Sequence, residues 1–273
     1  MDRGNKILCR TLGKPGQQQV NEDSVRAGGN LMAVSDGAGG GGIYADRWSA
    51  YLVGHLPDEP ITSFSGLNAW VDGIWEEFFN LYEQEAMKRG SLTLQKFYDE
   101  GSFATLAAAW ISGNKCRWIA YGDSVVFHYC QSSRRLQHSF TSLVDFNKPP
   151  YLISLHHPLL EAGFRAGEYE LCRGDVVMCA SDALSHYILM EYALLHPEEY
   201  GEQLSAAAAA STKNSVIIAI ARSVKSSFYN DVVLKLLNCG CSGVNFSRHV
   251  ERLLRRGLLS LDDYSYTLYR YKP

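Results

Sequence analysis

The chain has 273 residues, 46% of them hydrophobic and 20% charged, enough to bury a large core without disulfides, and its formal charge is -3. With no long run of Lys or Arg it offers nothing to a nucleic-acid backbone or an anionic membrane surface, which leaves small charged substrates open. No apolar stretch approaches the roughly 20 residues that span a bilayer, and the opening MDRGNKILCR lacks the apolar centre of a secretory signal, so the expected location is the cytoplasm.

Residues 5–36 alternate in short strand-like pieces. The last of them, Leu31-Met32-Ala33-Val34, runs through Ser35 into Asp36 and then a loop of little but glycine. Gly37, Gly39 and Gly42 satisfy G-x-G-x-x-G between a strand-like and a helix-like run, so a dinucleotide site has to be weighed. Residues 43–90 read as helical. Leu67, Trp70, Val71, Ile74, Trp75, Phe78, Phe79 and Tyr82 keep the i, i+3, i+4, i+7 rule, which predicts a long helix laying an aromatic stripe on the core.

From 102 to 181 strands return with hairpin punctuation: FATLAAAWI-SGNK-CRWIAY, then VVFHYC-QSSRR-LQHSF, then YELCRGDVVMCASD as an expected third pair. Consecutive hairpins make antiparallel sheet, whereas a dinucleotide fold needs crossover helices between parallel strands. An Asp directly before the first glycine also points negative charge at a pyrophosphate, and no Lys-Ser or Lys-Thr follows it. The same arrangement favours a cation, because a strand-end carboxylate and an accessible Gly carbonyl are hard oxygen ligands for magnesium or manganese. Taken alone, Asp36 is more commonly a helix cap or turn residue.

Asp36 has company. Asn21-Glu22-Asp23, Gly122-Asp123-Ser124, Ser181-Asp182 and Asp262-Asp263 each stand where an apolar strand meets a loop, so the topology can gather them at one sheet edge. The stretches 198–211, 215–228 and 246–257 read as helices packed on a sheet face, with Arg252, Arg255 and Arg256 as a solvated helix end. Two stretches compete for the final strand. In 229–237, Val232, Val233, Leu236 and Leu237 have helical spacing, whereas after Asp263 the residues Tyr264, Tyr266, Leu268 and Arg270 alternate with Ser265, Thr267, Tyr269 and Tyr271 as a β-strand does. The seven cysteines, odd in number and mostly within apolar runs, read as reduced thiols, with Cys239 and Cys241 as plain thiols rather than a zinc site. The adjacent His156 and His157 read as ordinary loop histidines.

In their order and spacing, NED at 21–23, VSDGAGG at 34–40 with Ala45 and Ser49 behind it, GDS at 122–124, RGDVVMCASDALS at 173–185 and DDYSYTL at 262–268 resemble the metal-dependent serine/threonine protein phosphatases, the type 2C family. The resemblance runs from about residue 10 to the C-terminus. It implies an α+β fold, a four-layer α-β-β-α sandwich of two antiparallel sheets flanked by helices, as one domain over 1–273 with a helical segment at about 184–258.

It further implies two divalent metal ions, manganese or magnesium: Asp36 bridging both, the Gly37 carbonyl serving one, and Asp182 and Asp262 the other. Glu22 and Asp23 match residues that orient the metal-activated water. Asp123 matches the ligand of a weaker third metal, with a hairpin-turn Asp as its equal alternative. The implied reaction is hydrolysis of phosphoserine or phosphothreonine in a phosphorylated protein substrate. There are departures. Relatives commonly carry a phosphate-holding Arg where Gln18 stands, Ala38 stands where some carry His, and Ala183 replaces the Gly of SDG, a strain if its φ is positive. Lys14 and Arg10 are the alternative phosphate holders, and a catalytically weak or inactive binding module of the same fold is the alternative function.

Overall fold

The computed structural model describes residues 6–40, 42–222 and 227–273, so Gly41 of the glycine loop and residues 223–226 of the expected helical stretch 215–228 lie outside the described residues. The chain opens with β1 (Leu8–Leu12), β2 (Ser24–Gly28) and β3 (Leu31–Ser35), then α1 (Ala45–His55), α2 (Phe64–Arg89) and α3 (Ser91–Asp99). Next come β4 (Phe103–Ala104), β5 (Leu106–Ser112), β6 (Lys115–Tyr121), β7 (Val125–Cys130), β8 (Arg135–His138), β9 (Ile153–Ser154), β10 (Phe164–Glu170) and β11 (Val176–Ala180). Helices α4 (Asp182–Leu195), α5 (Pro197–Ala210) and α6 (Thr212–Arg222) follow. A π-helical turn at Tyr229–Val233 then runs into α7 (Leu234–Cys239), and α8 (Gly243–Arg255) precedes the last strand, β12 (Tyr264–Arg270).

The strands form two five-stranded antiparallel sheets, in the orders β1-β12-β11-β7-β8 and β10-β6-β5-β3-β2, with β4 and β9 as a small separate pair. Strand side chains alternate between faces, and here both faces are covered. On the second sheet Leu31, Ala33, Leu106, Ala108 and Trp110 pack against Trp48 and Leu52 of α1 and Phe78 of α2. The intervening Met32, Val34, Ala107, Ala109 and Ile111 point into the space between the sheets, where they meet Val126, Val177, Cys179 and Tyr269. On the outer face of the first sheet, Tyr264, Tyr266 and Leu268 pack with α4 to α8. The layers are therefore helix, sheet, sheet, helix. Double burial explains why β3 and β5 are continuous apolar runs.

The final strand and the helical reading of 229–237 hold. The expected third hairpin does not: β10 pairs with β6, while β11 lies in the other sheet between β7 and β12. Gly174 at φ +94° and the buried Asp175 make a turn, but it carries the chain from sheet to sheet. Asp175 anchors it by accepting from the Cys172 and Gln131 amides at 2.9 Å each, and it lies 3.0 Å from Nε2 of the buried His128. The α2 stripe also needs a correction: Leu67, Val71 and Phe78 are buried, but Trp75 is exposed. Among the described residues no helix is long and apolar enough to cross a membrane. All seven cysteines are free, though Cys172 and Cys241 are exposed rather than buried.

Candidate active site

The sheet edges place the acids. Asp36 follows β3, and its backbone is clamped by Thr105, which donates its amide to the Asp36 carbonyl at 2.8 Å. Gly37 continues into a bridge with Ala104. A Cβ on Gly37 would stand 2.6 Å from the Ala45 carbonyl oxygen and 2.7 Å from that of Glu22, so only glycine lets the start of α1, the 21–23 segment and the Asp36 turn meet. Ser49 of α1 secures the same junction by donating to the Glu22 carbonyl at 2.6 Å.

Asp182 is the first residue of α4, where the helix dipole favours a carboxylate. Ala183 follows inside the helix and is not among the residues with positive φ, so the replacement of Gly by Ala costs no backbone strain. Asp123 lies in the β6–β7 turn after Gly122, whose φ is +89°. Asp262 and Asp263 immediately precede β12.

These elements bring Asp23, Asp36, Asp123, Asp182 and Asp262 within electrostatic reach of one another. Asp36 is held well above the usual carboxylate range, first by burial and then by the charges of Asp23, Asp182, Asp123 and Asp262. Asp23 is pushed up to about 8, chiefly by burial and by Asp182. Burial and Asp182 also raise Asp123, to about 7. Both carboxylate oxygens of Asp23 are buried with no hydrogen-bond partner. The nearby Ser181 and Ser265 hydroxyls ease its charge, but their bonds run elsewhere: Ser181 Oγ accepts from the Ser265 amide at 3.0 Å, and Ser265 Oγ pairs with Thr11 Oγ1 at 2.8 Å.

Glu22 sits at the rim. Its pKa is raised by burial, against the opposing pull of the Gly39 amide, which donates to Oε2 at 3.3 Å, and of Lys14. The flanking cations are Lys14, whose Nζ is 3.1 Å from Asp262 Oδ1, and Arg165, which acts on Asp123 and donates to the Gly122 carbonyl at 3.0 Å.

The donor set suits a hard divalent cation: oxygen ligands only, several of them carboxylates raised by burial and mutual repulsion, and an orphaned buried pair of oxygens in Asp23. Among the described residues no three His, Cys, Asp or Glu side chains are already drawn tightly enough together to hold an ion.

Of the remaining candidates, Gln18 is exposed on the loop between β1 and β2. The Arg10 guanidinium is turned away, donating to the Cys239 carbonyl at 3.2 Å and the Cys9 carbonyl at 2.7 Å. His156 bonds the Phe97 carbonyl at 2.8 Å, and with His157 it lines a groove of about 580 Å³ beside α2, away from the Asp23, Asp36, Asp123, Asp182 and Asp262 cluster. The Arg252, Arg255 and Arg256 side chains are exposed around the end of α8. Sequence reasoning missed the task of Asp263. This buried carboxylate accepts from the Lys14 amide at 2.9 Å and the Glu22 amide at 2.9 Å, and so pins the whole 14–22 loop to the start of β12. The doubled Asp was its only signal.

Against solved structures, the chain is similar over 97% of its length, and 97% of theirs, to the catalytic domain of the serine/threonine protein phosphatase PstP in complex with two manganese ions, at 19% identity and a TM-score of 0.55. It is similar over 98% of its length, and 99% of theirs, to the Mycobacterium tuberculosis phosphatase PstP/Ppp, at 17% identity and a TM-score of 0.56. The chain has the fold of these phosphatases. The Staphylococcus aureus serine/threonine phosphatase Stp1 shares the fold over 99% of this chain and 96% of its own, at 13% identity and a TM-score of 0.55. No protein-family model matches the sequence, and no curated protein does.

Proposed function

We propose that the chain is a metal-dependent phosphoprotein phosphatase that hydrolyses phosphoserine or phosphothreonine, with residues 1–273 as one such domain. The observation that carries this is the set of mutually repelling acids, Asp23, Asp36, Asp123, Asp182 and Asp262, at one end of a fold shared with serine/threonine phosphatases. The manganese ions of the PstP complex support the choice of metal.

In this reading Asp36, the Gly37 carbonyl, Asp182 and Asp262 hold two divalent ions, and Asp123 a weaker third. When bound, the ions supply positive charge that lowers the pKa of an attacking water and offsets the charge of the phosphoryl oxygens. The protein's own groups then set geometry. Asp23, with two buried acceptor oxygens that no protein donor satisfies, accepts hydrogen bonds from the water and fixes its direction of attack. Glu22 performs the same task from the rim, held through its backbone by Asp263 and through its side chain by the Gly39 amide. The water oxygen bonds to phosphorus as the serine or threonine oxygen leaves. Ala38 offers no proton, so the leaving oxygen takes its proton from water.

Hydrolysis of p-nitrophenyl phosphate with added manganese and with chelator tests the reading. Manganese-dependent turnover that falls by orders of magnitude in Asp36→Asn is the expected result, and equal hydrolysis in chelator defeats it. The exposed Gln18, where the resemblance calls for a phosphate-holding Arg, favours a second reading as a binding module. A manganese-loaded protein without measurable hydrolysis supports that one.

A further inference from the structure

We propose that Lys14 is the residue that holds the substrate's phosphoryl oxygens, doing from a different point on the loop what an arginine at Gln18 would do. The inference rests on the phosphatase reading above. It begins with the turn Lys14-Pro15-Gly16-Gln17, in which the Gln17 amide donates to the Lys14 carbonyl at 3.2 Å and Gly16 has φ +78°. Pro at the second position and a positive-φ Gly at the third are what a type II turn requires. The turn reverses the chain, so Gln17, Gln18 and Gln19 face solvent while Lys14 stays half-buried.

Asp263 fixes the inward side. By accepting from the Lys14 amide at 2.9 Å it sets the root of the side chain, and the ammonium reaches Asp262 Oδ1 at 3.1 Å. The ammonium, which a lysine carries at neutral pH, thus stands at the Asp262 end of the acid cluster. Its charge also reaches Glu22, on the rim of the acid cluster. The side chain keeps 25% of its surface exposed, so an incoming anion can reach it. An ammonium carries three donors and a single carboxylate oxygen takes one, which leaves donors for phosphoryl oxygens.

The other cations are placed less well for the task. Arg10 is committed to the carbonyls of Cys239, at the end of α7, and of Cys9 in β1, and Arg165 lies on the Asp123 side, against the Phe140 ring. Lys14 is thus the cation beside the acids that hold the reacting centre in the proposed mechanism.

The test is calorimetric titration of inorganic phosphate into the manganese-loaded protein, comparing wild type with Lys14→Met and Lys14→Arg, alongside manganese affinity and, where turnover is measurable, KM for p-nitrophenyl phosphate. Phosphate affinity should fall about ten-fold in Lys14→Met and be kept in Lys14→Arg, because both cations donate charged hydrogen bonds to phosphate. KM should follow the phosphate affinity. Manganese affinity in Lys14→Met should hold or rise, since the substitution removes a positive charge next to Asp262. Phosphate affinity unchanged in Lys14→Met overturns the proposal, as does a parallel loss of manganese or a wild type that binds no phosphate. A wild type that binds phosphate through Lys14 without hydrolysing ester upholds the proposal while the phosphatase reading fails.

Discussion

The Asp263 carboxylate and the Glu22 amide are 241 residues apart in sequence and 2.9 Å apart in space. With the bond to the Lys14 amide, this makes a buried acid the tie between the N-terminal loop and the last strand. Hydrogen bonds to a charged group contribute roughly 1.5–3 kcal/mol each, and their amides are left without partners when the acid is removed. Asp263→Ala should therefore lower the urea midpoint clearly and raise KM, because Glu22 and Lys14 lose their shared anchor. A variant with wild-type midpoint and KM would show that the loop is held by something else.

The glycine loop separates stability from positioning. A Cβ on Gly37 would press on the backbone carbonyls of Ala45 and Glu22, neither of which can turn aside, so Gly37→Ala should cost about 1–3 kcal/mol as an overpacked junction. At Gly39 the added carbon would overlap Glu22 Oε1, the end of a movable side chain. Gly39→Ala should keep the wild-type melting temperature within a degree or two and lower turnover by displacing Glu22. If the two variants were equally destabilised, this distinction would fail.

The raised acids give a pH signature in chelator. Asp23 at about 8 and Asp123 at about 7, against an ordinary 3.8, keep their protons in the folded protein over a range where the unfolded chain has lost them. The folded state then binds more protons than the unfolded state, so stability falls as pH rises through that window. His249, pushed down to about 4 by burial, and His138, also lowered, act in the opposite sense, but their effect ends near 6.5. Between pH 6.5 and 8 the melting temperature in chelator should therefore fall. Asp23→Asn should flatten the slope, and manganese should restore more stability at pH 8 than at 6.5 because it binds the deprotonated acids. A melting temperature that rises with pH in chelator would contradict the charge repulsion among these acids.

Much of this architecture could be read from the chain because its decisive patterns are local. The hairpins β5–β6 and β7–β8 announce themselves by short polar turns between apolar strands, and the helical spacing of Val232, Val233, Leu236 and Leu237 separates 229–237 from the alternating β12. What failed was partner choice. Nothing near Gly174 tells a sheet-changing turn from a hairpin, because β10 finds β6, and β11 finds β7 and β12, by contacts far along the chain. The task of Asp263 was hidden for the same reason, and so was the choice of Lys14 over Arg10, since Asp263 and Lys14 each act across the fold on a residue in the other terminal region. Motif spacing pointed to the acids that the sheet edges bring together, but not to the groups that hold their loops in place.

The choice between Asp262 and Asp231 as the acid that closes the site can be settled by paired substitutions. Asp262 precedes β12, acts electrostatically on Asp36 and Asp123, and pairs with Lys14. Asp231 lies in the π-helical turn, exposed, and its carboxylate accepts from the Ser227 amide at 2.8 Å as a local cap. In the proposed mechanism, removing a carboxylate from the cluster takes away a cation ligand, whereas removing an exposed cap costs only about 0.5–2 kcal/mol of helix stability. Asp262→Ala should therefore abolish manganese-dependent hydrolysis and weaken manganese binding measured by calorimetry. It should leave stability in chelator equal or higher, because relief of repulsion offsets the lost Lys14 pair. Asp231→Ala should leave hydrolysis and manganese affinity near wild type. The reverse pattern would place the metal-holding acid on the helical segment and leave Asp262 as nothing more than the partner of Lys14.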